Sequence, residues 1–70
     1  MNQRNTILNY LKEGNYISSI HASIEFGITQ LSARLVELEQ AGHVINREWR
    51  TSRGKRFKVY FLPVEALNGK

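Results

Sequence analysis

Gly27 to Leu62 reads GITQLSARLVELEQAGHVINREWRTSRGKRFKVYFL, and this stretch decides the fold. Leu31, Leu35 and Leu38 recur at helical spacing, and Ala41-Gly42 closes the periodic run. Two strand-like runs follow: Val44-Ile45 with Trp49, then Phe57, Val59, Tyr60, Phe61 and Leu62. Thr51-Ser52-Arg53-Gly54 lies between them with turn chemistry, since Gly54 can take positive φ without steric cost. The pattern accepts either a two-residue or a four-residue loop. Phe57, Val59 and Phe61 share one face of the second strand and Tyr60 and Leu62 the other, so alternation alone leaves both faces open as core.

Working backwards from Gly27, a second helix is expected over 20–26, with Ser18 or Ser19 accepting from its first amides and Ile20, Ile24 and Ala22 turned inward. Tyr16 and Ile17 form a short extended link. Before it, Ile7, Leu8 and Leu11 stripe a first helix over 3–13 that Gly14-Asn15 stops. Thr29 is the expected N-cap of the third helix, which runs to Gln40. Pro63 ends the last strand, so residues 1–62 are read as one domain and 63–70 as a flexible tail. The expected class is α+β: three helices followed by a two-stranded antiparallel hairpin.

Seventy residues sit near the lower limit for a self-sufficient core, and with no cysteine the chain has no disulfide to brace it. No apolar run approaches a membrane span, and the first residues lack the apolar segment of a signal peptide. A cytoplasmic protein with no membrane partner is the expectation. The charge is unevenly spread. Arg47, Arg50, Arg53, Lys55, Arg56 and Lys58 face one acid, Glu48, leaving +5 between residues 47 and 58 where the whole chain carries +4. Elsewhere acids and bases nearly cancel. Local basic charge on a β-ribbon beside a helix suits a nucleic-acid duplex, with the helix in a groove and the ribbon on phosphates.

At about 100° per residue, the third helix turns its leucines to one side. Thr29, Gln30 and Ala33 fall on the other side, short and uncharged, as close approach to bases requires. Gln30 can pair with an adenine edge and Ala33 can touch a thymine methyl. Ser32 and Arg34 flank this face within reach of phosphates. At the hairpin, Arg50, Arg53, Lys55, Arg56 and Lys58 can clamp backbone or enter a minor groove. Trp49 is expected to pack on the sheet or under an arginine stem as a cation–π partner, because a small domain needs its area; the competing role is stacking on sugar or base. His21, Glu25 and His43 do not make a three-ligand metal set, and no phosphate loop or nucleophile motif is present. No metal, no cofactor and no catalysis are expected.

The runs Gly27-Ile28-Thr29-Gln30-Leu31-Ser32-Ala33-Arg34-Leu35, Glu37-Leu38, Ala41-Gly42, Val44-Ile45, Gly54-Lys55-Arg56 and Tyr60-Phe61-Leu62 resemble small helix-turn-helix domains of phage and prophage origin. In that pattern a GIT-x-L-x-A-R helix precedes a G-x-x-I strand and a GKR…Y-x-L strand. The chain is similar, more loosely, to bacterial winged-helix transcription regulators. The resemblance covers residues 5–62. It implies a DNA-binding winged helix-turn-helix, with Thr29–Arg34 as the reading segment and Arg50–Arg56 as the wing. Double-stranded DNA is the implied partner, bound by a monomer or a homodimer, in the service of transcription regulation. The alternative is a module that uses the same fold to bind a protein, such as a host regulator or a replication or recombination factor.

Overall fold

The computed structural model describes residues 2–64. Helix α1 spans Gln3–Lys12 and starts where the Asn2 side chain accepts from the Asn5 amide at 2.8 Å. Its buried face carries Ile7 and Leu11, with Leu8 and Tyr10 packed partly against the core. The expected link at Ile17 is a strand. Strand β1, Ile17–Ser18, pairs antiparallel with the second hairpin strand through Ile17–Tyr60 and Ser18–Val59. Two residues are too few for periodicity to reveal a strand, so the pairing escapes a reading of the sequence.

Helix α2, Ser19–Phe26, is capped by Ser18, whose hydroxyl accepts from the His21 amide at 3.2 Å. Gly27 ends it in the left-handed region at φ 68°, which lets the Ile28 amide donate back to the Ala22 carbonyl at 3.0 Å. The expected inward set on this helix is corrected in part. Ala22 is fully buried, but Ile20 and Ile24 are 70% and 81% exposed. His21, Ala22 and Phe26 offer a competing stripe on the opposite side. The structure takes it because Tyr10 meets His21 and Phe26 edge-on, at 5.3 Å and 5.2 Å between ring centroids. With Ile17 locked in the sheet and Ser18 as cap, the helix has no freedom to turn its isoleucines in.

Helix α3 spans Leu31–Gln40 and buries Leu31, Leu35 and Leu38, with Ile28 beside them. Its N-cap is Gln30, not Thr29, and no side chain bonds the first amides. The helix therefore begins one residue later than expected, with the Arg34 amide donating to the Gln30 carbonyl. Strand β2 (Asn46–Ser52) and strand β3 (Lys55–Phe61) form the hairpin, and the sheet order is β1-β3-β2. Val44 lies outside β2 and is exposed, whereas Ile45 enters the core. Ser52 pairs with Lys55, so the loop is the two-residue form, Arg53-Gly54. Both residues have positive φ, 53° and 77°, the geometry that matches the twist of the flanking strands.

The helices cover the sheet face that carries Ile17 and Tyr60, with Ile45 and Leu62 closing the same core. This resolves which face of β3 looks inward. Val59 faces the other way, yet is only 6% exposed, on the side where Tyr16 stacks on Phe61 at 4.6 Å. Of the expected tail, only Pro63 and Val64 are among the described residues; 65–70 lie outside them.

Because Leu35 is buried in a minimal core, Leu35→Ala should lose about 2–5 kcal/mol of unfolding free energy in a urea titration. Ile24→Ser should stay within about 0.5 kcal/mol of the parent. A loss at Ile24 as large as that at Leu35 would mean that α2 packs by its isoleucines after all.

Candidate nucleic-acid interface

The start of α3 presents a short polar surface. Thr29, Gln30 and Ser32 are exposed, and Ala33 is half-buried. The first turn of α3 holds no acid and no side-chain cap, so no carboxylate of its own offsets the positive end of the helix. Arg34 behaves differently from its neighbours. Its Nη2 donates to the Glu37 carboxylate at 2.9 Å, and it borders a shallow groove with Asn2, Gln3, Arg4 and Glu37. That leaves it half-buried and internally neutralised, beside the N-terminus of α1.

Ion pairing also divides the hairpin. Arg47 bonds Glu39 on α3 at 3.2 Å, and Arg50 bonds Glu48 at 3.3 Å. Among the described residues, Arg53, Lys55, Arg56 and Lys58 have no carboxylate partner. Among the described residues, the arginines of the first wing strand are thus neutralised, while the cations of the tip and second strand are not. Exposed pairs of this kind contribute little stability, typically under about 1 kcal/mol, so their main consequence is where they leave positive potential.

Arg53 occupies a backbone region that non-glycine residues enter at a cost of about 1–2 kcal/mol, at a position where asparagine is the usual solution.

Cross-strand pairing sorts the hairpin into two faces. Arg47, Trp49, Thr51, Arg56, Lys58 and Tyr60 share the helix-bearing side, as opposed pairs point the same way. There the Arg56 guanidinium lies 4.7 Å and the Lys58 ammonium 4.9 Å from the Trp49 ring centroid. On the other side Arg50 lies 4.7 Å from the Tyr16 ring, which itself stacks on Phe61. Trp49 is therefore the expected cation–π partner, but not for the expected reason: at 57% exposed it supplies little core area. The rings act as platforms that hold long basic side chains upright on the sheet. Sequence reading missed Tyr16 in this role, because its seat depends on the β1–β3 pairing.

His21 accounts for itself within the fold. It lies 3.3 Å from the Tyr10 hydroxyl and 3.5 Å from Glu25, bridging α1 and α2. Among the described residues, no three His, Cys, Asp or Glu side chains come together as a metal site would need. No helix among them is long and apolar enough to cross a membrane.

Two helices joined at Gly27, an uncharged helix start, and a hairpin with a cationic tip are now in view. The sequence model of the winged helix-turn-helix domain matches residues 2–65. The chain belongs to that family. No curated protein and no solved structure matches it significantly. In the terms of this family α2 and α3 are the helix-turn-helix and β2–β3 the wing, and DNA is the partner that such a domain implies. The third strand, β1, completes the sheet against which the wing is braced.

Trp49 gives the wing an optical handle. Its emission should be solvent-like, and iodide should quench it more strongly than caesium at equal concentration and low salt, because Arg56 and Lys58 concentrate anions at the ring. Blue-shifted emission that neither ion quenches would place the ring in a packed interior instead.

Proposed function

We propose that this winged helix-turn-helix domain binds double-stranded DNA, with the N-terminal part of α3 in the major groove and the wing on flanking backbone or minor groove. Thr29, Gln30, Ser32 and Ala33 meet the bases, and Arg34 holds the helix to the strand beside it. Arg53, Lys55, Arg56 and Lys58 meet phosphates, while Arg50, on the first strand of the wing, is held by Glu48. The observation that carries this reading is the concentration on the wing of cations with no carboxylate partner among the described residues, beside an uncharged helix start. Its biological role is regulation of transcription from a phage or mobile element, in the cytoplasm, by binding without catalysis. A second reading, docking on a host regulator or a replication or recombination factor, draws on the exposed isoleucines Ile20 and Ile24 of α2.

Each phosphate contact releases condensed counterions, so affinity for random duplex should fall steeply with salt. Replacing Arg53, Lys55 and Arg56 with alanine should flatten the logarithmic slope by roughly 2–3 units, while Arg53→Asn alone should flatten it by about 1 and raise hairpin stability. A triple variant that binds as the parent does at every salt concentration removes the wing from the interface and favours the protein-binding reading.

Base reading has a separate signature. Gln30→Ala should cost about 1–3 kcal/mol at a site selected from a random library and little elsewhere. Ser32→Glu puts an acid in the first turn of α3, where the helix dipole favours it, so thermal stability should hold or rise while duplex affinity collapses. Retained affinity in Ser32→Glu would show that α3 does not enter the groove.

A further inference from the structure

We propose that two copies of this chain pair through the outer edge of β2, antiparallel and centred on Trp49, to form a continuous sheet of order β1-β3-β2-β2-β3-β1. Strand β2 is the edge of the sheet, and all seven of its residues, Asn46–Ser52, are exposed. One side of its backbone pairs with β3; among the described residues the other side has no strand beside it. Charged residues on an edge usually discourage pairing. Here they do so selectively, because the order of the charges matches one antiparallel register of the strand with itself.

With Trp49 opposite Trp49, Glu48 faces Arg50 of the second copy and Arg50 faces its Glu48. Arg47 then faces Thr51 and Asn46 faces Ser52, so the whole strand is paired and no like charges meet. Moving the register by one residue towards the N-terminus sets Arg47 against Arg50, and by two sets Glu48 against itself. Moving it two the other way sets Arg50 against itself. A shift of one in that direction puts Arg50 opposite Trp49 and Glu48 opposite Thr51, forfeiting both opposite-charge pairs. Like charges directly opposed destabilise a ladder and unlike ones support it, so a single register is selected.

The faces agree as well. Within one copy Arg50 Nε lies 3.3 Å from the Glu48 carboxylate, on the side away from the helices. The second copy brings the same pair in reverse order, so that four charges alternate in sign around a square. The Trp49 rings, 57% exposed in one copy, meet on the helix-bearing side. A two-fold axis perpendicular to the sheet relates the copies, the closed symmetry expected of an isologous pair. It leaves both helical layers on the same side of the sheet, and the pairing does not rest on the proposed DNA reading.

The test uses sedimentation equilibrium of the full chain without DNA, at low salt, with circular dichroism of every variant to verify folding. The parent is expected to dimerise reversibly. Glu48→Arg and Arg50→Glu should each weaken the dimer by at least about tenfold, since each converts two attractive cross-strand pairs into repulsive ones. Mixing these two variants should restore pairing, and the double swap E48R/R50E should dimerise like the parent. A parent that stays monomeric from micromolar to millimolar concentration overturns the proposal. So do folded single variants that dimerise as the parent does, or a mixture that stays monomeric while the parent pairs. None of these readouts depends on whether the chain binds DNA.

Discussion

The pairing of Ile17-Ser18 with Val59-Tyr60 joins the two halves of this molecule. Ile17 is wholly buried between helices and sheet, and Ser18, paired with Val59, is also the residue that caps α2. One short strand thereby sets where β3 lies, the direction in which α2 leaves the sheet, and, through the turn at Gly27, the placement of α3. Without it the hairpin would be an isolated two-stranded ribbon, which is marginally stable in water at best. With it the wing extends from a third strand and a packed helical layer, and its tip is held at a defined position relative to the start of α3.

The core that this pairing organises is small and contains no buried polar or charged side chain among the described residues. Stability comes from aliphatic packing of α1 and α3 against Ile17, Ile45 and Leu62. The charged residues are left to the surface, and there they are ordered by position. Glu39 and Glu48 take up the two arginines of the first wing strand, while Trp49 supports cations that have no acid partner among the described residues. Among the described residues, the cations without an acid partner thus lie on the tip and second strand of the hairpin rather than evenly along it.

Much of the candidate interface was legible in the residues. The leucine stripe of α3, a hairpin turn within Thr51–Gly54 and the basic run of 47–58 follow from side-chain periodicity, turn chemistry and charge, all of which are local properties; which two residues form the loop came from the register. The state of each cation was not legible. Arg34 and Arg50 read as free phosphate ligands in the sequence, yet one bonds Glu37 and the other Glu48 and stacks on Tyr16. Trp49 read as a cation–π partner, which it is, but the core area that reading also gave it is absent, since the ring is largely exposed on the hairpin.

The order of the three helices and the hairpin, the class of the fold and the concentration of positive charge on one hairpin were determined by the sequence itself, since each rests on residues adjacent along the chain. Tertiary structure decided three further matters. It chose the His21–Ala22–Phe26 face of α2 over Ile20 and Ile24, since Tyr10 of α1 was there to receive the aromatic rings. It made a strand of Ile17-Ser18, whose only signal is a partner more than forty residues away. It also selected Tyr60 and Leu62 over Phe57, Val59 and Phe61 as the inward side of the last strand. Alternation allows either face, and only the position of the helices breaks that symmetry.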